Sequence, residues 1–292
     1  MSDLIGNTPL VSLSSDANAR VRLLGKLESQ NPGGSVKDRP ALRMIRGAEE
    51  RGLLEPGVRL VEATSGNTGI ALAMIAAARG YQIELIMPES STAERVQLMR
   101  AYGAHVILTP DDTGMEGAID LARQKVAEGG YVMLDQFSND DNWRAHFETT
   151  GPEIWAQTQG EVRAFVSAMG TTGTIMGVGR FLKSKQAGVR IVGCHPADGA
   201  SIPGIRRWPE EYLPKIYQPS EVDEILDIAQ EAAENEARRL ARELGVLVGV
   251  SSGGAVWAAR QICARMERAG ESGCVVCILC DRGDRYLSSN LF

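Results

Sequence analysis

The chain has 292 residues, enough for two small domains, and its 43% hydrophobic and 23% charged residues are typical of a globular protein. The net charge of −6 argues against a nucleic-acid partner, because phosphate backbones are bound by clustered lysine and arginine. No apolar run is long enough to cross a membrane, and the first residues lack the basic start and apolar stretch of a signal peptide. We therefore expect a cytoplasmic protein.

Lys37 is the first residue in the chain that suggests chemistry. It follows the glycine-rich turn Asn31-Pro-Gly-Gly and leads into an apolar, alanine-containing helix. Lysine forms Schiff bases with carbonyl compounds, including pyridoxal phosphate. Taken alone, Lys37 is better explained as a solvated surface charge, and the covalent role depends on the loops that come later in the chain.

From residue 58 onward, short apolar runs alternate with helical stretches. The predicted strands span residues 58–63, 83–87, 105–108, 131–134, 165–168, 190–194 and 274–280, and the predicted helices span residues 68–79, 92–102, 115–127, 174–185, 231–243 and 254–269. This alternation predicts an α/β protein with mainly parallel, twisted sheets that carry helices on both faces. Two such series predict two lobes, connected near the polar segment 137–142, with ligands at the carboxyl ends of the strands.

Cys274, Cys277 and Cys280 form a C-x-x-C-x-x-C pattern, which can indicate a metal site. The apolar residues between them instead predict a buried strand. Successive side chains of a strand alternate between its faces, so Cys277 should point away from the other two. We therefore expect buried thiols and no metal.

Three loops rich in glycine and hydroxyl residues are candidates for ligand binding. Residues 62–69 (Glu-Ala-Thr-Ser-Gly-Asn-Thr-Gly) would offer backbone N–H groups and a helix start to a small carboxylate. Residues 170–174 (Gly-Thr-Thr-Gly-Thr) suit a phosphate monoester, since they lack the Walker lysine and the dinucleotide glycine pattern. Residues 249–254 (Gly-Val-Ser-Ser-Gly-Gly) are predicted to form a third strand-to-helix turn. An ordinary helix N-cap would also explain the first and third of these loops.

In this order, the Gly-Ser-Val-Lys-Asp-Arg segment and the three loops resemble the pyridoxal-phosphate enzymes of the tryptophan synthase β fold, known as fold type II. Within them, the chain resembles the cysteine synthase (O-acetylserine sulfhydrylase) family, whose start is matched by Ile5-Gly-Asn-Thr-Pro-Leu10. Residues 201–209 and 280–287 resemble the B branch of that family, and Thr172 stands where the A branch usually has glycine. The resemblance covers nearly the whole chain.

The resemblance implies a role for each motif. Lys37 would hold pyridoxal 5′-phosphate through a Schiff base and then act as acid and base at the substrate α-carbon. Asn67 would hydrogen-bond the 3′-oxygen of the cofactor, and Ser251 would hydrogen-bond its pyridine nitrogen. The residues that would bind the phosphate are Gly170, Thr171, Thr172, Gly173 and Thr174. The residues that would bind the substrate carboxylate are Thr64, Ser65, Gly66, Thr68 and, from across the cleft, Gln136.

A serine at the pyridine nitrogen has a chemical consequence. Many pyridoxal enzymes place a charged side chain there to tune the ring, whereas a serine hydroxyl carries no charge. The weaker electron sink favours β-elimination followed by addition of a nucleophile. The family resemblance implies the substrates of such a reaction, O-acetyl-L-serine plus sulfide giving L-cysteine plus acetate, and the B-branch resemblance adds thiosulfate as a donor that gives S-sulfocysteine.

Two further site assignments stay open. Arg206 and Arg207 would receive the thiosulfate dianion, because guanidinium groups suit oxyanions, or they form a solvated basic pair. Cys280 would line the same pocket, or it is a buried structural thiol. His105, His146 and His195 lie in no matched motif, and we assign them no catalytic role.

Two alternative functions remain at this stage. One keeps the fold but changes the substrate, as in a serine or threonine dehydratase or a cystathionine β-synthase. The other is a non-catalytic protein that binds pyridoxal phosphate or an amino acid, which the intact Lys37 and carboxylate loop disfavour.

The resemblance also implies an arrangement of lobes and subunits. Residues 36–140 would form a smaller, mobile lobe that binds the substrate carboxylate. Residues 1–35 and 141–292 would form a larger lobe that binds the cofactor phosphate and pyridine ring. The cofactor would lie in the cleft between the lobes, the partners would be small-molecule substrates, and the protein would be a homodimer.

Overall fold

The computed structural model describes residues 2–14, 19–64, 66–289 and 291–292, which form two β-sheets surrounded by helices. The strands are β1 (Leu10–Ser12), β2 (Val21–Leu27), β3 (Arg59–Ala63), β4 (Gln82–Pro88), β5 (His105–Thr109), β6 (Tyr131–Met133), β7 (Val162–Ala168), β8 (Arg190–Pro196), β9 (Glu224–Ile228) and β10 (Gly273–Leu279). The α-helices are α1 (Asp38–Glu50), α2 (Asn67–Arg79), α3 (Ala93–Ala101), α4 (Gly114–Glu128), α5 (Asp140–Ala145), α6 (Gly151–Gln157), α7 (Gly173–Lys185), α8 (Gln230–Leu244) and α9 (Val250–Arg268). A π-helical turn, His146–Thr150, connects α5 to α6.

The larger sheet has the strand order β1-β2-β10-β7-β8-β9, and only β1 is antiparallel to its neighbour. Its apolar strand β10 pairs with both β2 and β7 and is covered on both faces, as is typical of parallel sheets. Cys277 packs in one hydrophobic cluster, whereas Cys274 and Cys280 pack in the cluster on the other face. The predicted alternation of these three cysteines is therefore confirmed.

The smaller sheet is wholly parallel, with the order β5-β4-β3-β6. Helices α1, α2 and α3 contribute to the hydrophobic cluster on one face, and α4 packs on the other. The α/β class with two mainly parallel sheets and helices on both faces is thus confirmed. Within the described part of the chain, no helix combines the length and the apolar character needed to span a bilayer.

The third glycine-rich loop differs from its prediction. No strand precedes it, because residues 245–249 connect α8 to α9 and contain only an isolated bridge between Val248 and Arg282. Helix α9 begins at Val250 rather than at residue 254, so Ser251 lies in its first turn. A Cβ on Gly253 would lie 2.1 Å from the Ala233 carbonyl oxygen, so this glycine lets α8 and α9 pack closely. Tertiary packing outweighs the poor helix propensity of glycine here.

Candidate active site

A cavity of about 470 Å³ opens at the carboxyl ends of β3, β6, β7, β8 and β10, where parallel sheets bind their ligands. Twelve of the predicted site residues line it: Lys37, Asn67, Thr68, Gln136, Gly170, Thr171, Thr172, Thr174, Arg206, Arg207, Ser251 and Cys280. Thr64, Gly66 and Gly173 are not part of the cavity wall. Ser65 lies outside the described residues.

Lys37 lies at the start of α1, in a turn that is held against the segment after β10. The Val36 N–H donates to the Cys280 carbonyl oxygen at 2.8 Å. Burial lowers the pKa of the Lys37 amine, and the nearby carboxylates of Asp281 and Glu28 oppose that shift. A lowered pKa increases the fraction of neutral amine, which is the form that attacks a carbonyl carbon.

Arg39 anchors the same turn in the protein core. Its guanidinium donates to both carboxylate oxygens of Glu28 at 2.7 Å and to those of Glu153 at 2.6 and 2.7 Å. The fully buried Lys26 amine lies 2.6 Å from Glu153 and donates to the Thr8 carbonyl oxygen at 2.6 Å. Two cations thus balance two carboxylates in a buried network that positions the start of α1, and with it Lys37.

The loop between β7 and α7 presents hydroxyl groups at a helix N-terminus. The Thr171 hydroxyl accepts from Asn142 Nδ2 at 3.2 Å, and the Thr174 hydroxyl lies 3.3 Å from His146 Nε2. Burial lowers the pKa of His146 well below its usual value, so the ring is neutral beneath the loop. The buried Thr172 hydroxyl has no hydrogen-bond partner among the described residues. This combination of helix N-terminus, hydroxyls and an unsatisfied donor suits a phosphate group.

Thr172 has a left-handed backbone conformation, with φ 69° and ψ −5°. That conformation is an outlier for a β-branched residue and normally favours glycine. We expect Thr172→Gly to stabilise the cofactor-free protein by about 1 kcal/mol through relief of strain, while loss of the hydroxyl weakens cofactor binding. Urea unfolding of the cofactor-free protein and titration with pyridoxal phosphate would measure the two effects separately.

Gln159 provides a matched control for this substitution. It also has a positive φ, 53°, but it is exposed and does not line the cavity. Gln159→Gly should therefore stabilise the protein without changing its affinity for pyridoxal phosphate. Unchanged cofactor affinity in Thr172→Gly would show that this hydroxyl makes no contribution to the phosphate site.

The loop between β3 and α2 has an inner side, which is buried, and a side that faces the cavity. On the inner side, the fully buried Thr64 hydroxyl accepts from the backbone N–H groups of Gly66 and Gly69 at 3.1 and 2.9 Å. Thr64 therefore shapes the loop. On the cavity side, the Thr68 hydroxyl donates to Gln136 Oε1 at 2.8 Å. Among the described residues, Thr68 and Gln136 thus form a hydrogen-bonded pair in the cavity wall.

Glu62 holds the segment that carries Gln136. Its two carboxylate oxygens accept from the backbone N–H groups of Asp135 and Gln136, each at 3.0 Å. Burial raises the pKa of Glu62 to about 8, although these backbone donors favour the ionised form. Sequence reasoning gave Glu62 no role, because a single acidic residue at the end of a strand carries no distinctive signal.

Asn67 belongs to a polar network that connects the small sheet to the C-terminal segment. Its amide donates to Asp281 Oδ2 at 2.7 Å and accepts from Arg285. The same Asp281 oxygen accepts from the Tyr286 hydroxyl at 2.8 Å, and Arg95 donates to that hydroxyl at 2.8 Å. The stretch that resembles the B branch contains three of these residues, but Arg95 lies within α3 and had no signal in the sequence.

Ser251 and Cys280 lie side by side on the cavity wall. The Cys280 backbone N–H donates to the neighbouring Ser252 hydroxyl at 2.8 Å, and burial raises the pKa of the Cys280 thiol to about 11. Cys280 is therefore a neutral thiol that both packs in the core and lines the cavity.

Arg206 and Arg207 also line the cavity, but their surroundings differ. The Arg207 guanidinium donates to Asp227 at 2.7 Å. The Arg206 guanidinium lies over the Trp208 ring, with 4.9 Å to the ring centroid, and its nearest carboxylate is Glu116 at 3.6 Å. Arg207 is thus held by a direct hydrogen bond, whereas Arg206 has a looser partner.

Trp208 is a further wall residue that sequence reasoning missed. Its indole N–H donates to the Gly170 carbonyl oxygen at 2.8 Å, and its ring packs edge-on against Phe137 at 5.2 Å between centroids. The tryptophan therefore connects the predicted phosphate loop to the segment after β6.

Comparison with known proteins agrees with this geometry. The family model for pyridoxal-phosphate dependent enzymes matches residues 1–281. This chain belongs to that family and, within it, to the cysteine synthases.

Among its relatives, Cysteine synthase B of Pseudomonas aeruginosa is 58% identical over 293 residues, which cover 100% of this chain and 97% of that protein. The structure of an O-ureido-L-serine synthase has a TM-score of 0.92 and 39% identity, covering 100% of this chain and 94% of the other. The cysteine synthase of Entamoeba histolytica has a TM-score of 0.91 and 38% identity, covering 100% and 89%.

Proposed function

We propose that this chain uses pyridoxal 5′-phosphate to convert O-acetyl-L-serine and sulfide to L-cysteine and acetate, and that thiosulfate serves as a second sulfur donor. The observation that carries the proposal is the position of Lys37. Its amine, with a pKa lowered by burial, faces a cavity whose wall includes both the Thr68–Gln136 pair and the threonines at the start of α7. The names of the relatives support the same reaction.

The residues present fit the cofactor. The unsatisfied Thr172 hydroxyl, its neighbours Thr171 and Thr174, and the N-terminus of α7 would hold the phosphate. Ser251 would hydrogen-bond the pyridine nitrogen, and Asn67 would hydrogen-bond the 3′-oxygen. When bound, pyridoxal phosphate supplies an electron sink for bonds at the substrate α-carbon.

Other side chains of the cavity would bind the substrate and transfer its α-proton. Thr68, Gln136 and the N-terminus of α2 would hold and orient the substrate carboxylate. The Lys37 amine would remove the α-proton, and loss of acetate from the β-carbon would make that carbon the site of sulfur addition. Lys37 would finally return the proton to the α-carbon. Ser251 carries no charge to stabilise a pyridinium, which favours early loss of the acetate group.

The arrangement of lobes and subunits belongs to the same proposal. Residues 36–140 would form the smaller, mobile lobe, and residues 1–35 and 141–292 the larger one. Closure of the smaller lobe would exclude water from the cavity during the reaction. We further propose a cytoplasmic homodimer, which size-exclusion chromatography with light scattering would test.

A product assay tests the proposed reaction. Purified protein loaded with pyridoxal phosphate would receive O-acetyl-L-serine with sulfide or with thiosulfate, and mass spectrometry would identify the amino-acid product. We expect L-cysteine in the first case and S-sulfocysteine in the second. If serine or threonine were consumed equally well and no cysteine formed with sulfide, the protein would instead be a dehydratase.

A further inference from the structure

Next to the cavity wall lies a carboxylate that the reaction does not use. Glu116 lies in the first turn of α4, directly after the wall residue Met115. Its Oε1 is 3.6 Å from the Arg206 guanidinium, and both side chains are about one-third exposed, at 30% and 37%. The pair connects the two sheets, because α4 packs on the small sheet whereas Arg206 follows β8 of the large sheet.

The geometry of Arg206 suits the binding of an anion other than Glu116. At 3.6 Å the pair with Glu116 is longer than a charge-assisted hydrogen bond. The backbone N–H of Arg206 is fixed on the Met169 carbonyl oxygen at 2.8 Å, and its guanidinium is supported by the Trp208 ring. A planar guanidinium held on an aromatic face offers its edge to an oxyanion. The position of the Arg206 guanidinium is therefore fixed by its backbone and by Trp208. Glu116 balances its charge without a direct hydrogen bond.

Arg207, in the same loop, has a guanidinium that is held by direct hydrogen bonds. It donates to the Asp227 carboxylate at 2.7 Å and to the Pro196 carbonyl oxygen at 3.3 Å. An incoming anion would have to displace a direct hydrogen bond at Arg207, whereas at Arg206 it would displace only the looser contact with Glu116. Of the two arginines, Arg206 is the better anion receptor, and Glu116 is the group that an anion must replace.

We propose that Glu116 determines donor specificity by competing with oxyanions for Arg206. A dianion such as thiosulfate replaces the Glu116 carboxylate at the guanidinium, so Glu116 weakens its binding. Sulfide is small and carries at most one charge near neutral pH, so it gains little from Arg206 and is affected little by Glu116. The proposal rests on the proposed function for its choice of substrate, but its anion-binding part can be measured without turnover.

The test is Glu116→Gln in the cofactor-loaded enzyme. We expect the KM for thiosulfate to fall by about twofold to fivefold, which is the upper part of the range for a partly exposed ion pair, with kcat nearly unchanged. The kcat/KM with sulfide should stay within about twofold of the parent value. In a background of Arg206→Gln, the same Glu116 substitution should have no effect on the KM for thiosulfate, because the shared partner is gone.

Glu211→Gln is the matched control. Glu211 is exposed in the 3₁₀ turn Glu210–Tyr212, and its neutralisation changes the net charge by the same amount. If Glu211→Gln lowered the KM for thiosulfate as much as Glu116→Gln does, the effect would come from the change in net charge rather than from the contact with Arg206. The proposal would then be wrong. The proposal would be equally wrong if Glu116→Gln changed only the free energy of unfolding, as expected of a residue that merely stabilises the start of α4.

Calorimetric titration of the cofactor-loaded protein with sulfate separates this inference from the proposed reaction. Sulfate is an unreactive dianion of similar shape to thiosulfate, so its affinity reports on Arg206 whether or not cysteine is formed. We expect Glu116→Gln to tighten sulfate binding by about twofold to fivefold. Equal sulfate affinity in the two proteins would overturn the role of Glu116, whereas tighter sulfate binding without any S-sulfocysteine would contradict only the choice of thiosulfate as substrate.

Discussion

Lys37→Ala is expected to lower kcat/KM for cysteine formation by about a thousandfold or more. The substitution removes both the amine that attaches the cofactor and the group that moves the α-proton, and proton transfer by a positioned side chain alone contributes roughly a hundredfold to ten-thousandfold. The protein should still fold, because Lys37 lies at the cavity wall and its backbone contacts do not depend on its side chain. Steady-state assays with sulfide measure kcat/KM, and circular dichroism shows whether the variant is folded.

Lys215→Ala serves as the control for this substitution. Lys215 is exposed and is absent from the cavity wall, so its loss should leave the rate unchanged. Full activity in Lys37→Ala would refute the assigned role of Lys37. Adding a small primary amine offers a second check, since partial recovery of the rate would show that the missing group is an amine.

Arg39→Met is expected to have the largest effect on stability. It leaves the fully buried Glu28 without its guanidinium partner and weakens the pairing of Glu153. An uncompensated buried charge costs about 3–5 kcal/mol of unfolding free energy. Because the network positions the start of α1, the variant should also bind pyridoxal phosphate more weakly. Urea unfolding of the cofactor-free protein measures the first effect without interference from the second.

The pH dependence of this variant provides an internal check. In the parent protein, the contacts with Arg39 and Lys26 lower the pKa of Glu153 to about 2 against the opposing effect of burial. The stabilisation is therefore complete above the ordinary carboxyl pKa of about 4.5 and is lost as the pH falls towards 2. Arg39→Met should show a shallower loss of stability over that interval, because the Glu153 pKa returns towards its ordinary value.

A surface pair gives the matched comparison. Arg22 and Glu161 form an ion pair in which both side chains are about half exposed, and such pairs contribute about 0–1 kcal/mol. Arg22→Met should therefore change the unfolding free energy by no more than that amount. If Arg39→Met were equally mild, the buried network would not be the anchor of the Lys37 turn.

The loops that line the cavity could be singled out in the sequence because they are short and rich in glycine, whereas the roles of their residues rest on the family resemblance. Lys37, Thr68, Thr171 and Ser251 each occur in a glycine-rich segment whose composition indicates close backbone approach to a ligand. The strand alternation of Cys274–Cys280 was equally predictable, because side chains alternate along any strand.

What sequence reasoning missed depends on contacts between distant segments. Strand β2 was not predicted, because Lys26 interrupts its apolar pattern, and its burial depends on distant partners such as Glu153. The early start of α9 depends on close packing of Gly253 against α8, which no local propensity indicates. The pair of Arg206 and Glu116 likewise joins two sheets that local sequence cannot place side by side.

The most direct test of the central claim is to locate the bound cofactor on the chain. The protein, loaded with pyridoxal phosphate, would be reduced with borohydride, digested and mapped by mass spectrometry. We predict a single phosphopyridoxyl group on the peptide that contains Lys37. An adduct on any other lysine, or a folded protein that retains no cofactor after reduction, would contradict the assignment.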